Sequence, residues 1–337
     1  MLIEEEIDDA IYKKSPYIIS WSSKSLTKLP NNIGKCTLLA IFYIDYNNLT
    51  FIPDSIGYCT ALQELRISYN KLINIPDSIG KCTALKVLDI SENNLTVLPD
   101  TIGNCTALTY INCYKNQLTS IPDTIGKCTA LKTLALTYNN ITSIPNSIGN
   151  CTALNHISIN CNQLTSIPDT IGNCTSLIEL RIGHNNITYI PNSIGCCRSL
   201  DYIDISNNNI SSIPYSLGRC RHIYVFHVRN NKLPNKWYKN APDGAMIQLK
   251  KLQNYIHTRW DNNLKNLFLL YQDGYLQSKN DHSITTFSKL LYNLPNEVIA
   301  IIANHITKTT DIKYCNKPLV KPYYNGKIWV PKMKIKK

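Results

Sequence analysis

Charged residues are scarce in this sequence, since Asp, Glu, Lys and Arg together make up 17% of its 337 residues. Hydrophobic residues make up 44%, so a sizeable core is expected and global disorder is not. Runs of about 18 apolar residues are missing, and with them any expected transmembrane helix. The acidic opening Met-Leu-Ile-Glu-Glu-Glu-Ile-Asp-Asp lacks the basic and apolar regions of a secretory signal. We therefore expect a cytoplasmic, intracellular protein.

Motifs of catalysis and of cofactor binding are also missing. The sequence contains neither G-x-x-x-x-G-K-[ST] nor G-x-G-x-x-G, the loops that bind phosphates and dinucleotides. Its 13 cysteines include no C-x-x-C pair, so no metal site is expected. Neighbouring carboxylates such as Asp89 and Glu92 could do acid–base work, but acidic surface pairs are far commoner. We predict that the chain is not an enzyme and needs neither a cofactor nor a metal.

The formal net charge of +12 is concentrated at one end of the chain. Residues 1–233 carry 18 Lys and Arg against 17 Asp and Glu, whereas residues 234–337 carry 17 against 6. A segment this basic can contact nucleic acid, an anionic surface or an acidic partner, or it can be a solvated tail. Binding of nucleic acid or of an anionic surface through the tail is therefore one alternative function.

Most of the cysteines recur at a fixed interval of 23 residues. A residue type that recurs once per repeat in the same context occupies one structural position, and a small buried hydrophobe with a thiol suits it. Equivalent positions in a stack form a ladder and not obvious pairs, so reduced thiols are the simpler interpretation. The recurring cysteines are Cys36, Cys59, Cys82, Cys105, Cys128, Cys151, Cys174, Cys197 and Cys220.

Each 23-residue unit predicts one short strand and a return leg. In the unit 82–104, residues 88–90 alternate apolar and polar, which indicates a strand with one buried face. Asn93 follows, and an amide at this position can bond the backbone of successive turns. The leg between Pro99 and Gly103 is too short for a full helix, so we expect 3₁₀ or single-turn pieces there.

The pattern L-x-x-L-x-L-x-x-N-x-L-x-x-I-P-x-x-I-G resembles the leucine-rich-repeat family, in its 23-residue intracellular type, with Cys in place of a core Leu. The bias towards Asn, Ile and Lys also resembles repeat proteins of large DNA viruses. The family resemblance covers about residues 16–234. It implies an α/β solenoid, a horseshoe with a parallel sheet on its concave face and short 3₁₀ turns on its convex side.

The predicted organisation has three parts. A capping helix and a degenerate first repeat occupy residues 1–30, and about nine repeats of 23 residues occupy residues 31–234. A basic, mainly helical region occupies residues 235–337. Ile3 and Ile7 belong to one apolar face of the first helix, and Leu249 and Leu252 mark a helix after the repeats. Either helix can close an end of the solenoid.

Function should depend on the positions that vary between repeats. Outward strand positions lie five, seven, nine and ten residues after each recurring Cys, and they are rich in Tyr and Arg, which dominate binding energy at interfaces. The resemblance implies that this surface binds a protein partner, in a chain that we expect to be monomeric. A solvent-facing strand also tolerates these residue types without any function. The candidate partner-binding residues are Tyr43, Tyr46, Arg66, Tyr69, Asp89, Glu92, Tyr110, Tyr114, Tyr138, Arg181, Tyr202 and Asp204.

The segment 294–306 suggests another function. It begins with a Leu-Pro pair, places a Glu in the first turn of an expected helix and continues as an apolar stripe. This resembles the opening of an F-box, which docks the Skp-type adaptor of cullin ubiquitin ligases, so the chain would be a substrate-recognition adaptor. An amphipathic capping helix explains the same residues. The candidate docking residues are Leu294, Pro295, Glu297, Val298, Ile301 and Ile302.

Overall fold

The computed structural model describes residues 15–237, 249–251 and 253–254. Within these ranges, ten parallel strands form one sheet in which sequence neighbours are also sheet neighbours. From the second strand onward the register is one repeat, as in Leu65 opposite Leu88. The strands are β1 Tyr17–Ser20, β2 Leu39–Tyr43, β3 Glu64–Arg66, β4 Val87–Asp89, β5 Tyr110–Asn112, β6 Thr133–Ala135, β7 His156–Ser158, β8 Glu179–Arg181, β9 Tyr202–Asp204 and β10 Val225–His227.

Short 3₁₀ helices form the return legs between the strands. A Pro that precedes each leg, such as Pro99 with φ −67°, has the fixed φ that starts the turn. The recurring Cys follows directly, and the N–H of Cys105 donates to the carbonyl of Ile102 at 3.1 Å. The 3₁₀ helices are η1 Asn31–Lys35, η2 Asp54–Tyr58, η3 Asp77–Lys81, η4 Asp100–Asn104, η5 Asp123–Lys127, η6 Asn146–Asn150, η7 Asp169–Asn173, η8 Asn192–Cys196, η9 Tyr215–Arg219 and η10 Asn235–Trp237. The predicted solenoid of parallel strands and short 3₁₀ legs is confirmed.

The core is a continuous column of Leu, Ile and Cys side chains that runs through every repeat. Leu88, Ile90 and Cys105 are fully buried, as are their equivalents in most other repeats. Because one repeat has a single apolar face, it can be buried only against the repeats before and after it. At the first coil, Trp21 packs edge-on against Phe42, with ring centroids 5.3 Å apart.

The predicted asparagine ladder is present and joins each repeat to the preceding one. The side-chain amide of Asn93 donates to the carbonyl of Ile67 at 2.9 Å, and its oxygen accepts from the N–H of Leu72 at 3.0 Å. These bonds satisfy buried backbone groups where the sheet has ended. Lys24 stands where the first coil would carry its Asn, yet Asn47 from the second coil still accepts the backbone N–H of Lys24 at 3.0 Å.

The recurring cysteines form a second ladder in the interior. The thiol of Cys105 donates to the carbonyl of Ile79, one repeat earlier, at 3.3 Å, and Cys197 makes the same contact with Ile171 at 3.3 Å. Burial raises the pKa of the Cys105 thiol to about 12, so the thiol stays protonated at neutral pH. A thiol at this position therefore fills the space of a small apolar side chain and also binds a carbonyl that a Leu could not.

A glycine column allows the return legs to pack closely. A Cβ on Gly103 would lie 2.4 Å from the carbonyl oxygen of Thr124 in the next repeat, and a Cβ on Gly195 would lie 2.4 Å from that of Ser216. No side chain fits such a gap, because the nearest atoms are a backbone oxygen and the Cβ of the same residue, neither of which can rotate away. Gly in the I-G pair is therefore required by contact between repeats.

The end of the solenoid is partly covered by the segment after the repeats. Residues 249–251 and 253–254 are helical, as the apolar stripe predicts. Leu249 is fully buried, and the side-chain amide of Gln253 donates to the carbonyl of Cys220 at 3.0 Å. The predicted N-terminal capping helix and the F-box-like segment 294–306 lie outside the described residues. Among the residues that are described, no helix is long and apolar enough to cross a bilayer.

Candidate functional site

The variable outward side chains of β2–β10 form one surface, here called the sheet face. It consists of the residues five, seven, nine and ten positions after each recurring Cys. All twelve candidate partner-binding residues lie on it, and each is exposed or half-buried. The strand geometry explains this placement, since side chains alternate between the buried core and the outer surface.

The sheet face divides into two chemically different halves. The amino-terminal half, on β2–β6, contains six Tyr, four carboxylates and two cations: Tyr43, Tyr46, Tyr69, Tyr110, Tyr114, Tyr138, Asp45, Glu64, Asp89, Glu92, Arg66 and Lys115. The carboxyl-terminal half, on β7–β10, contains one Tyr, three His, two carboxylates and two cations: Tyr202, His156, His184, His227, Glu179, Asp204, Arg181 and Arg229. Formal charge is therefore negative on the first half and balanced on the second.

An arginine on β3 is held between a carboxylate and a ring. The Nε of Arg66 donates to Glu64 at 2.5 Å, and its guanidinium lies 5.7 Å from the centroid of the Tyr43 ring. The hydrogen bond to Glu64 raises the pKa of Arg66. The same Glu-Leu-Arg sequence recurs on β8, where Arg181 pairs with Glu179 and lies 4.3 Å from the Tyr202 ring centroid. Each arginine thus has a carboxylate and an aromatic ring as neighbours on the sheet face.

A lysine on the coil after β5 repeats this arrangement. The Lys115 ammonium lies 2.7 Å from a Glu92 carboxylate oxygen and 5.2 Å from the centroid of the Tyr114 ring. The hydrogen bond to Glu92 raises the pKa of Lys115. Tyr114 in turn meets Tyr138 edge-on, with centroids 5.6 Å apart. Four side chains from three adjacent repeats therefore form one contact chain.

Two neighbouring tyrosines stack at the start of the sheet face. The rings of Tyr46 and Tyr69 are nearly parallel, at 9°, with centroids 4.4 Å apart. They are 57% and 45% exposed, so much of the stacked pair faces solvent. The pKa of Tyr69 is raised, and the charge of Glu92 is the main cause.

Three aspartates of the sheet face bind neutral donors. Asp45 accepts from the hydroxyl of Ser68 at 2.8 Å, and Asp89 accepts from Ser91 at 2.7 Å and from the Asn112 amide at 3.1 Å. Asp204 accepts from the hydroxyl of Ser206 at 2.6 Å. These bonds orient the carboxylates, and Asp89 and Asp204 also lie opposite Arg66 and Arg181 on the neighbouring strands. The adjacent carboxylates that the sequence offered for acid–base chemistry are thus bound to Ser, Asn, Arg or Lys side chains.

Nine residues of the sheet face have a left-handed backbone, and we call them the left-handed column. Each directly precedes a ladder Asn, and their φ values lie between 50° and 59°. This conformation costs about 1–2 kcal/mol for most residues and least for Gly and Asn. Only the last two positions hold Asn. The column is Tyr46, Tyr69, Glu92, Lys115, Tyr138, Cys161, His184, Asn207 and Asn230.

The twelve candidate residues fall into two groups in the structure. Nine of the twelve, from Tyr43 to Tyr138, lie on β2–β6 and the coils that follow these strands. Arg181, Tyr202 and Asp204 lie on β8 and β9, with β7 between the two groups. Sequence reasoning did not select Glu64 and Glu179, although the repeated Glu-Leu-Arg could have indicated both. It also missed the left-handed column, because most of its residues are not the types that favour a positive φ.

Groups of three or more His, Cys, Asp or Glu that could hold a metal ion do not occur in the described part of the chain. Cys161, on the sheet face, is half-buried, and Cys196 is exposed. The candidate docking residues of the F-box-like segment, Leu294, Pro295, Glu297, Val298, Ile301 and Ile302, lie outside the described residues. Within the described residues, the sheet face is therefore the candidate functional site.

Comparison with known proteins identifies the repeat. A family model described as "Leucine rich repeat" matches residues 60–118 and 152–210. A second, "Leucine Rich repeats (2 copies)", matches residues 129–171. The chain therefore contains leucine-rich repeats, and its fold is the solenoid typical of them. No curated protein sequence matches the chain significantly.

Several solved structures share the fold. A plant peptide hormone receptor, RGFR1 in complex with RGF2, is 37% identical with a TM-score of 0.57, over 61% of this chain and 34% of the receptor. The functional domain of InlJ from Listeria monocytogenes, which includes a cysteine ladder, is 25% identical with a TM-score of 0.57, over 64% and 44%. The Arabidopsis receptor kinase HAESA, in complex with the peptide hormone IDA and the co-receptor SERK1, is 27% identical with a TM-score of 0.56, over 64% and 38%. The chain thus spans less than half the length of each.

Proposed function

Starting from leucine-rich repeats in a ten-strand solenoid, we propose that this chain is a non-enzymatic, monomeric interaction module whose sheet face binds a protein partner. One observation carries the proposal. The interior columns repeat almost unchanged, whereas the sheet face differs from repeat to repeat and is rich in partly exposed Tyr. Solenoids of this kind are generally interaction modules, so the variable face is where a partner would be selected.

Contacts among the side chains of the sheet face support the proposal. Arg66 and Lys115 are each held by a carboxylate and a ring, and Tyr46 stacks on Tyr69. Side chains that are already ordered lose little conformational entropy when a partner binds. Two of the similar structures are a plant peptide hormone receptor in complex with RGF2 and the receptor kinase HAESA in complex with the peptide hormone IDA.

The test places one bulky charge in the middle of the sheet face. Ala135 lies on β6, is half-buried and has only a methyl side chain, so Ala135→Arg should obstruct a partner without disturbing the core. Ser120→Arg, at an exposed position off the sheet face, adds the same charge as a matched control. Both full-length variants are purified from cells that make the chain, and the co-purified proteins are quantified by mass spectrometry.

Loss of specific partners from Ala135→Arg but not from Ser120→Arg is the expected result. Circular dichroism and thermal unfolding should show that both variants remain folded. If both variants retain every partner of the parent chain, the sheet face is not the binding surface and the proposal is wrong.

The F-box-like pattern at 294–306 supports a second proposal, that the chain recruits a cullin-type ubiquitin ligase to proteins bound by its repeats. The supporting observation is the Leu-Pro-x-Glu opening with its apolar stripe. The full chain and a chain that ends at residue 292 are compared by the same purification. A ligase adaptor that co-purifies only with the full chain supports recruitment, and an identical partner set for both forms contradicts it.

We also propose that the protein works in a reducing, cytoplasmic compartment. The support is the cysteine ladder, in which thiols such as Cys105 and Cys197 donate to backbone carbonyls. A hydrogen-bond donor must carry its proton, so the ladder requires reduced thiols. Fractionation of cells that make the chain, followed by alkylation of free thiols after unfolding, tests this. Recovery of the protein in the cytoplasm with its ladder cysteines alkylated is expected, and recovery outside the cell contradicts the proposal.

A further inference from the structure

We propose that the partner binds along the left-handed column of the amino-terminal half, and that this edge recognises basic side chains of an extended protein segment. The edge consists of Tyr46, Tyr69, Glu92, Lys115 and Tyr138. The inference rests on the proposed function, since it takes the sheet face to be the binding surface. It adds where on that face the partner binds and which chemistry selects it.

Backbone strain is present along this edge, as it is at Cys161 and His184 in the other half. Asn207 and Asn230 hold the same position at φ 53° and 55°, so the fold accepts Asn there. Asn adopts a left-handed backbone more readily than Tyr, Glu or Lys. The first repeats nevertheless carry Tyr46, Tyr69 and Glu92, at φ 54°, 53° and 52°. Strained residues cluster at functional sites, and binding of a partner is the function that we propose for these side chains.

The five side chains form a continuous edge. Successive members are one repeat apart, which corresponds to about 4.8 Å along a sheet. Tyr46 stacks on Tyr69, the charge of Glu92 acts on Tyr69, and Lys115 pairs with Glu92 at 2.7 Å. Tyr138 is 51% exposed and joins the same group through Tyr114. A partner that crosses the repeats would meet all five.

Charge and ring geometry indicate a basic partner. The amino-terminal half has four carboxylates and two cations, which gives it a formal charge of −2. Both cations pair with a glutamate, Asp45 and Asp89 accept from neutral donors, and Asp89 also lies opposite Arg66 on the neighbouring strand. Within the described residues no cation lies over Tyr46 or Tyr69, although Arg66 and Lys115 lie over the rings of their own neighbours. An acidic segment would meet repulsion here, and an apolar one would bury carboxylates without compensation.

Repeat spacing suggests the spacing of the basic residues. Asp45 and Asp89 lie beside the edge, two repeats or about 9.6 Å apart across the strands and two positions apart in the repeat. A polyproline II segment is extended, advances about 3.1 Å per residue and has three residues per turn, so side chains three positions apart lie on one face about 9.3 Å apart. An extended segment with Arg or Lys at every third position is therefore the partner that fits the edge best.

The experiment measures peptide binding and stability on the same full-length variants. The probe is a fluorescein-labelled peptide with Arg at every third position and Ser at the positions between. A reference peptide has citrulline in place of each Arg, which keeps the shape of the side chain and removes its charge. The test variant is Tyr46→Asn with Tyr69→Asn. The matched control is Asn207→Tyr with Asn230→Tyr, which introduces the same residue types at equivalent positions of the other half.

We expect the parent chain to bind the Arg peptide at least tenfold more tightly than the citrulline peptide in fluorescence anisotropy. The test variant should bind the Arg peptide about tenfold more weakly while its Tm rises by about 2–4 °C per substitution, since strain is relieved. The control should lose a similar amount in Tm and bind the Arg peptide as the parent does. Opposite shifts of stability and binding would not arise if the tyrosines were merely structural.

Three outcomes overturn the inference. Equal or undetectable binding of the two peptides would contradict a basic partner. Unchanged binding of the Arg peptide by the test variant would show that Tyr46 and Tyr69 are not part of the site. Weakened binding by the control would show that the site extends over the whole left-handed column. The proposed function fails separately, when Ala135→Arg loses no natural partner. If Ala135→Arg loses partners while the peptide results are negative, the sheet face binds a protein but by another chemistry.

Discussion

The two halves of the sheet face share a scaffold and differ in what they present to solvent. Asn93 under the amino-terminal half and Asn208 under the carboxyl-terminal half donate to equivalent carbonyls, at 2.9 and 3.0 Å. Above them, the first half carries six Tyr and an excess of carboxylates, whereas the second carries one Tyr and balanced charge. Since the interior is the same, folding requirements do not explain the difference. Differences between the halves therefore point to function, and similarities point to stability.

The largest effect should come from the asparagine ladder, equally in both halves. Asn93→Ala leaves the buried N–H of Leu72 without its acceptor, and Asn208→Ala does the same to Ile187. Each change also removes a donor to backbone carbonyls, so we expect a loss of about 3–4 kcal/mol in the free energy of unfolding. Urea unfolding measures this. Asn94→Ala, at the exposed neighbouring position, is the control and should cost little. Unequal losses at Asn93 and Asn208 would break the equivalence of the two interiors.

Close packing of the return legs should show the next largest effect. Gly103→Ala and Gly195→Ala each place a Cβ 2.4 Å from a backbone oxygen of the next repeat. Overpacking of this kind costs about 2–3 kcal/mol, and thermal or urea unfolding should show it in both halves. Gly183→Ala is the control, because its Cβ would meet only side-chain oxygens of Asp204, at 3.0 Å, which can move. If Gly183→Ala lowers the free energy of unfolding as much as the other two changes do, close contact with a backbone oxygen is not the reason for their effect.

Alkaline pH should destabilise both halves through the cysteine ladder. Burial raises the pKa of the Cys105 and Cys197 thiols from 9.0 to about 12, so the unfolded chain loses these protons first. Each protonated thiol therefore contributes fully to the free energy of unfolding below about pH 9, and this contribution is lost as the pH rises towards 12. At pH 10 the loss is about 1.4 kcal/mol per thiol. Between pH 8 and pH 10, the free energy of unfolding measured in urea should therefore fall less for Cys105→Val or Cys197→Val than for the parent chain. Cys196→Val, at an exposed position, should keep the parental slope.

The smallest effect separates strain from function. His184 has a left-handed φ of 54° but lies in the carboxyl-terminal half. His184→Asn should raise the free energy of unfolding by about 0.5–1 kcal/mol, because Asn tolerates this conformation better. Peptide and partner binding should be unchanged, unlike the result expected for Tyr46 and Tyr69. His156→Asn, on strand β7, should bring no gain. Weaker binding by His184→Asn would extend the binding edge into the second half.

The fold could be predicted from the sequence to a large extent, and the candidate site only in outline. The 23-residue period, the alternation at 88–90 and the Pro and Gly of each leg predict a strand and a 3₁₀ turn from local chemistry. Alternation also predicts which side chains point outward. The pairs Tyr46–Tyr69 and Arg66–Tyr43 join residues 23 apart, and their ring geometry depends on rotamers that the period does not set.

The sequence by itself determined the repeat, the parallel order of the strands, the buried columns and the side chains available on the sheet face. A regular period achieves this because each unit can bury its apolar face only against identical neighbours. The tertiary structure alone decided that the position before each ladder Asn is left-handed, and which carboxylates pair with Arg66 and Lys115. Stacking one coil on the next imposes that backbone whatever the residue, so Tyr, Glu and Lys adopt a conformation that their own preferences would not predict.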